Sequence, residues 1–247
     1  MKPKLDSQLL TDIRAILRDK PSYGYRRVTS RLNCRYKGMD DAKVNHKRVY
    51  RVMKENSLLL APYGKRPVRK HDGKVITLRS NTRWCSDGFS IPCDNGDRVY
   101  VAFSLDTCDR EAMRYIASTK GIDGEMIRDL MIESVEYRFG NLEKMPRHIQ
   151  WLSDNGSCYT ARKTVALGRS LGFEVCTTAP YSPESNGMAE AFVKTFKRDY
   201  VWFGDLSDAE TVMRQLPAWF EDYNENAPHK GLKMRSPRQF ISEQILG

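Results

Sequence analysis

The sequence predicts two joined parts, a small all-α module of strong positive charge followed by an α/β domain built on a mixed sheet. Three observations carry this reading. Charge is unevenly placed. Residues 1–80 hold 21 Lys and Arg against 7 Asp and Glu and the remainder holds 20 against 24, so a net +14 is followed by −4 within an overall +10. Apolar residues recur at helical spacing as far as Met53 and change to strand-like runs from Asn81. Late in the chain, a stretch dense in Pro, Ser, Asn and Gly (residues 180–187) gives way to a helical pattern from Met188.

In the first part, Leu5, Leu9, Leu10, Ile13, Ile16 and Leu17 share one face of a helix from Leu5 to Arg18, and Pro21 stops it. Tyr25, Val28 and Leu32 bury a second short helix and leave Arg26, Arg27 and Arg31 outside. After a polar loop, Asn45 is placed to cap a third helix with Val49, Val52 and Met53 inward and Lys47, Arg48, Arg51 and Lys54 outward. Three short helices, the last strongly basic, fit a helix-turn-helix over residues 1–60. Such a charge excess suits a polyanion. An anionic membrane surface would attract the same charge, but the chain lacks an amphipathic Trp/Phe-rich face, so nucleic acid is the better match. Arg26, Arg27, Arg48 and Arg51 are the candidate DNA contacts. Phosphate contacts of this kind hold position without reading sequence. Residues 61–80 mix Pro62, Gly64, Pro67 and Gly73 with Lys65, Arg66, Arg69 and Lys70, and read as an extended basic linker.

The second part, residues 81–247, starts with strands at Arg83–Ile91 and Arg98–Leu105, joined by the turn Asp94-Asn95-Gly96-Asp97. Val99 to Phe103 is apolar without alternation, as a strand covered on both faces should be. Ala112–Ser118 makes a third strand. Asp123 caps a helix that buries Ile127, Leu130, Met131, Val135 and Phe139 and ends at Gly140. Next come a strand at His148–Ser153, a helix at Ala161–Leu171, a short strand at Phe173–Cys176 and the helix from Met188. This order matches a ribonuclease H-like fold, a mixed five-stranded sheet flanked by helices.

Three carboxylates stand out. Asp87 lies inside the first strand. Asp154 follows the apolar run Ile149–Leu152 and precedes the turn signal Asn155-Gly156, at the carboxyl end of a strand where open α/β sheets place their sites. Glu190 lies one turn into the last of these helices, whose apolar face is Ala189, Phe192, Val193 and Phe196. Lys194 and Lys197 follow at i+4 and i+7 on its other face. Three carboxylates meeting at one point would hold two divalent cations.

Between Asp154 and Glu190 lie 35 residues, and Lys197 follows the Glu by seven. With Trp84…Asp87, Ser153-Asp154-Asn155-Gly156 and Ser182-Pro183-x-Ser185-Asn186-Gly187, this resembles the D, D(35)E signature of the integrase and transposase superfamily. Within it, the chain is most similar to the orfB transposases of the bacterial insertion sequence 3 family, nearest insertion sequence 2, from about Pro21 to Phe240. The segment Ala218-Trp219-Phe220-x-x-Tyr223-Asn224…Pro228-His229-x-Gly231-Leu232…Ser236-Pro237-x-x-Phe240 resembles that family's closing motif, Tyr-Asn…Pro-His…Leu…Ser-Pro. Its aromatics are read as anchoring the tail on the domain, and His229 as structural.

The resemblance implies an enzyme that cleaves and joins DNA strands. Asp87, Asp154 and Glu190 would be both catalytic residues and ligands of two Mg²⁺ ions, with Mn²⁺ able to substitute. Lys194, Lys197, Asn186 and Glu184 would contact DNA, and Asn155, Ser157 and Asp106 would support the site. Glu184 stands where retroviral-type relatives usually have Gln, so Glu184→Gln is expected to tighten DNA binding. The implied partners are the element's terminal repeats, target DNA, an orfA-type protein or fusion, and further copies of the chain. The chain begins close to its first helix, where relatives carry more residues, and a truncated or frameshift-dependent product is the matching expectation.

Other classes fare less well. The six cysteines and four histidines show no zinc-ligand spacing, and no apolar run approaches the roughly 18 residues a membrane span needs. A cytoplasmic protein with reduced thiols is expected. An inactive DNA-binding regulator would not need all three carboxylates and Lys197. A nuclease acting on RNA–DNA hybrids would not need the basic module.

Overall fold

The computed structural model describes residues 3–37, 43–61, 77–141, 145, 148–178 and 187–245. Two compact units are formed, Met1–Lys70 together with Glu225–Gly247, and His71–Asn224. Among the described residues no helix is long and apolar enough to cross a membrane.

The first unit contains α1 (Pro3–Asp19), α2 (Tyr25–Arg35) and α3 (His46–Glu55). Leu9 and Ile13 of α1 pack with Val28 and Leu32 of α2 and with Val49 and Met53 of α3, all buried. Each such side chain contributes about 1.5–3 kcal/mol when fully buried. As expected, Asn45 accepts the Lys47 amide at 2.9 Å and starts α3.

The tail departs from the expected grouping, in which residues 81–247 form one domain. Ser30 donates to the Met234 carbonyl at 2.6 Å, Arg31 donates to Asn226 Oδ1, and the Gln239 amide donates to Cys34 Sγ at 3.3 Å. The cause is plain: α2 turns polar and cationic groups outward, and the tail satisfies them. α9 (Pro237–Ile245) therefore belongs with the N-terminal helices. His229 is buried in this unit and exchanges backbone hydrogen bonds across a small loop, its amide to Arg235 O at 2.9 Å and its carbonyl from Met234 N at 2.8 Å.

In the second unit the strands are β1 (Arg83–Pro92), β2 (Arg98–Asp106), β3 (Ala112–Ser118), β4 (Ile149–Ser153) and β5 (Phe173–Thr177). Their spatial order is β3-β2-β1-β4-β5, with β1, β4 and β5 parallel and the first three antiparallel. Between them run α4 (Gly124–Phe139), the one-turn α5 (Ser157–Thr160), α6 (Arg162–Ser170) and α7 (Gly187–Asp199), with α8 (Ala209–Asn226) last. α4 begins and ends as its residues dictate. Asp123 Oδ1 accepts two amides at 2.9 Å, and Gly140 takes the left-handed φ of +73° that closes the helix.

β2 is covered on both faces, which explains its unbroken apolar run. Ala102 faces Trp84, Ile127 and Met131 on the α4 side. The Phe103 ring meets that of Phe192 of α7 at 4.3 Å, tilted by 38°. Phe192 and Phe196 also meet Phe220 of α8, at 6.0 and 4.6 Å. Thus the aromatics of the closing motif up to Tyr223 do anchor on this unit. The residues after Asn224 belong to the first unit instead.

Candidate active site

β1 lies at the centre of the sheet and presents Asp87 on the face that α7 covers, as Phe89 two residues on meets Phe196 at 5.7 Å. Cys85 pairs with Leu152 in the parallel register of β1 and β4. That is the last pair of the β1–β4 ladder, and Asp87 and Asp154 each lie two residues beyond it, at the same end of neighbouring strands. β4 stops at Ser153, and the chain turns at Asp154, whose Oδ1 accepts the Gly156 amide at 2.9 Å. A Cβ at Gly156 would lie 3.0 Å from that same oxygen, so a larger residue there would push the carboxylate aside. Asn155 Nδ2 donates to the Thr178 carbonyl at 3.0 Å and fastens the turn to the end of β5. Glu190 is exposed in the first turn of α7, on the side away from Phe192 and Phe196.

Electrostatics ties the three acids together. The Asp87 carboxyl is raised to about 6, chiefly by burial, opposed by its hydrogen bond from the Gly88 amide and helped by the negative charges of Asp154 and Glu190. Beneath the site the buried Tyr159 hydroxyl meets Ser86 Oγ at 3.0 Å. The donor set is all carboxylate oxygen, the chemistry that suits Mg²⁺ or Mn²⁺. As the side chains stand, no three such groups among the described residues share one ion's coordination distance. Oδ1 of Asp87 and of Asp154 are held by backbone amides at 2.7 and 2.9 Å, so a shared shell requires the remaining oxygens and the long Glu190 side chain to turn inward.

Several expected residues sit elsewhere. Asp106 is not beside the carboxylates. It is fully buried, accepts Asn81 N at 2.6 Å and Trp84 Nε1 at 3.2 Å, and lies with Asp109 and Glu111 around Arg138. It holds the start of β1 rather than the site. Ser157 makes no hydrogen bond to Asp154 among the described residues; the Gly156 amide orients that carboxylate. The Asp154-Asn155-Gly156 sequence carried the signal for this Asx-type turn.

Of the candidate DNA contacts, Arg48 and Arg51 both bond Asp6, at 2.8 and 2.9 Å. Arg27 lies 3.7 Å over the Tyr23 ring, while Arg26 is exposed and donates to Tyr25 OH at 3.1 Å. Lys194 is exposed, and Lys197 is half-buried with its ammonium 5.6 Å over Phe89. Glu184 and Asn186 lie outside the described residues, as does most of the expected linker.

Known families match most of the chain. Two models, each described as an integrase core domain, match residues 78–183 and 171–237, and an HTH-like domain model matches residues 4–66. The chain is 46% identical over 242 residues to "Transposase InsD for insertion element IS2A/D/F/H/I/K" of Escherichia coli, covering 97% of this chain and 80% of that protein. The chain belongs to the InsD transposase family. A second InsD transposase, for insertion element IS2-9 of Escherichia coli strain K12, is equally similar over 97% of this chain and 78% of its own length. A chain of the simian T-cell lymphotropic virus intasome assembly with PP2A regulatory subunit B56 gamma shares the fold, with a TM-score of 0.55 at 16% identity over 86% of this chain and 73% of that one. As an InsD-type transposase, the protein is a DDE-type polynucleotidyl transferase on an integrase-type, ribonuclease H-like core, and it binds DNA.

Proposed function

We propose that Asp87, Asp154 and Glu190 are the reactive carboxylates of this transposase and hold two Mg²⁺ ions, which Mn²⁺ can replace. The carrying observation is that Asp87 and Asp154 lie two residues beyond the last pair of neighbouring parallel strands, and the negative charges of Asp154 and Glu190 both raise the Asp87 carboxyl. Bound divalent ions would supply activation of the attacking oxygen and stabilisation of the leaving 3′ oxygen in an in-line displacement. The chain's own residues do the rest. The Gly156 amide keeps Asp154 turned along the strand end, and the Asn155–Thr178 bond keeps that turn in place. Lys194 and Lys197 on α7 act as point charges for the DNA backbone. With water as nucleophile the product is a nick with a free 3′ hydroxyl; with that hydroxyl as nucleophile the product is a joined strand.

Joining two element ends calls for more than one such centre, so we place several copies on DNA, with an orfA-type partner for end recognition as the resemblance implies. Electron paramagnetic resonance of a Mn²⁺ titration tests the metal assignment. Wild type is expected to take up two ions, while Asp87→Asn, Asp154→Asn and Glu190→Gln each weaken at least one by tenfold or more. Uptake unchanged in all three variants would remove these carboxylates from the metal site.

A further inference from the structure

We propose that Tyr159 is a positioning residue for the transposase reaction: through its buried hydrogen bond to Ser86 it sets the separation of the Asp87 and Asp154 carboxylates, and so the fit of a metal ion between them. This rests on the reading of those two acids, with Glu190, as the reactive centre.

The sheet alone does not fix that separation. The β1–β4 ladder ends at Cys85 and Leu152, and β4 itself stops at Ser153. Both acids lie past the last pair, where main-chain register no longer holds one against the other. The Asn155–Thr178 bond fastens the Asp154 turn to the end of β5, on the side of β4 away from β1. Among the described residues, the side-chain tie from this turn and α5 back to β1 is the hydrogen bond of Tyr159 Oη with Ser86 Oγ at 3.0 Å. It closes a short path between the two acids. Asp154 Oδ1 accepts the Gly156 amide at 2.9 Å, Gly156 O accepts the Tyr159 amide at 3.0 Å, Tyr159 reaches Ser86, and Ser86 precedes Asp87 in β1. The Tyr159 ring also lies against Gly156, its Cδ2 3.4 Å from where a Cβ would stand.

Successive strand residues face opposite ways. Ser86 therefore shares the face of Trp84, toward the core that contains Ile127 and Tyr159, while Asp87 faces α7. The tie stands behind the site and takes no oxygen from a metal ion. Packing alone does not call for these two hydroxyls, since Phe and Ala would fill nearly the same space without burying polar groups. Both residues are buried, and Ser104, opposite Ser86 in the β1–β2 register, is engaged with Ser134 of α4 at 2.7 Å. Ser86 and Tyr159 thus satisfy each other. A metal shell tolerates only about 0.2 Å in ligand distance, which gives a rigid tie at this place its use. No spacing in the sequence pairs these residues, which are 73 apart.

The test is a Mn²⁺ titration followed by electron paramagnetic resonance on the full chain, with urea unfolding in chelator and nicking kinetics alongside. Tyr159→Phe is expected to weaken Mn²⁺ uptake about three- to tenfold, less than the roughly 10–100-fold typical of groups bonded directly to a ligand. At limiting Mn²⁺ its kcat should fall while KM for the duplex changes little, and Ser86→Ala should behave alike. The double variant separates positioning from stability. With both partners replaced no buried hydroxyl is left unsatisfied, so the urea midpoint is expected to return toward wild type while Mn²⁺ uptake stays weakened. Tyr36→Phe, which removes a tyrosine hydrogen bond to Asp12 in the helical unit, is expected to leave uptake unchanged.

Uptake unchanged in Tyr159→Phe, uptake restored together with stability in the double variant, or an equal loss in Tyr36→Phe overturns the proposal. If Asp154→Asn weakens uptake and Tyr159→Phe does not, the positioning role alone fails. If Asp154→Asn also leaves uptake unchanged, the reading of the centre fails and the positioning role with it.

Discussion

Asp87 shows how three acids prepare a centre. Its carboxyl is raised to about 6 from an ordinary 3.8, by burial and then by its two acidic neighbours. The folded protein therefore keeps a proton that the unfolded chain sheds, and ionising Asp87 costs stability as pH rises through about 6. A divalent ion binds only the carboxylate and competes with that proton. Mg²⁺ affinity is accordingly expected to be steady above pH 7 and to fall toward tenfold per unit below about 6. Calorimetric titration with Mg²⁺ at pH 5, 6 and 7 checks this; equal affinity at pH 5 and 7 would contradict it. At this scale the sequence was informative where chemistry is local. The Asp154-Asn155-Gly156 turn and the Asn45 and Asp123 caps involve residues two or three apart. It was uninformative where partners are distant. Asp106 read as a residue supporting the site from nearby, and its bonds to Asn81 and Trp84 and its place beside Arg138 put it at the strand ends.

Among the elements, β3 is secured from outside its own sheet. Asn224 near the end of α8 accepts the Ala112 amide and donates to the Ala112 carbonyl, both at 2.9 Å and buried. This coincides with a register shift at Ser104/Leu105 that disturbs the β2–β3 ladder. Asn224→Ala would strand two buried backbone groups and is expected to lower stability by about 2–3 kcal/mol, measured by urea unfolding. A loss below about 0.5 kcal/mol would mean that water replaces the side chain fully. The periodicity that marked α4 and the two-sided run in β2 made most elements of this sheet readable. α8 and α9 carried no such reading, because their place depends on pairings with β3, α7 and α2 that no local pattern records.

Across the whole molecule, the two ends of the chain share one unit. Ser30 and Met234 are 204 residues apart, yet their hydrogen bond is 2.6 Å long. The closing motif is thereby split: Tyr223 and Asn224 serve the catalytic unit, and His229, Leu232 and Ser236 are buried with the N-terminal helices. Asn226→Ala, which removes the acceptor for Arg31, is expected to destabilise the helical unit by about 1 kcal/mol. Hydrogen exchange should then quicken at Val28 and Leu32 while Val101 and Phe103 keep their protection. Equal acceleration at both places would show that the units unfold as one. The charge step near residue 80 made the basic front part legible, but charge says nothing about which distant segment completes its fold.

The central claim is that Asp87, Asp154 and Glu190 form one metal-dependent centre for cutting and joining DNA. The most direct measurement uses an end-labelled duplex carrying a matching element end, with Mg²⁺ or Mn²⁺ and the orfA-type partner, comparing wild type with Glu190→Gln. The expected result is nicking at the element boundary and strand-joined product in wild type, both reduced by at least about 10³-fold in a variant that still binds the duplex. Nicking and joining that persist in Glu190→Gln would contradict the assignment.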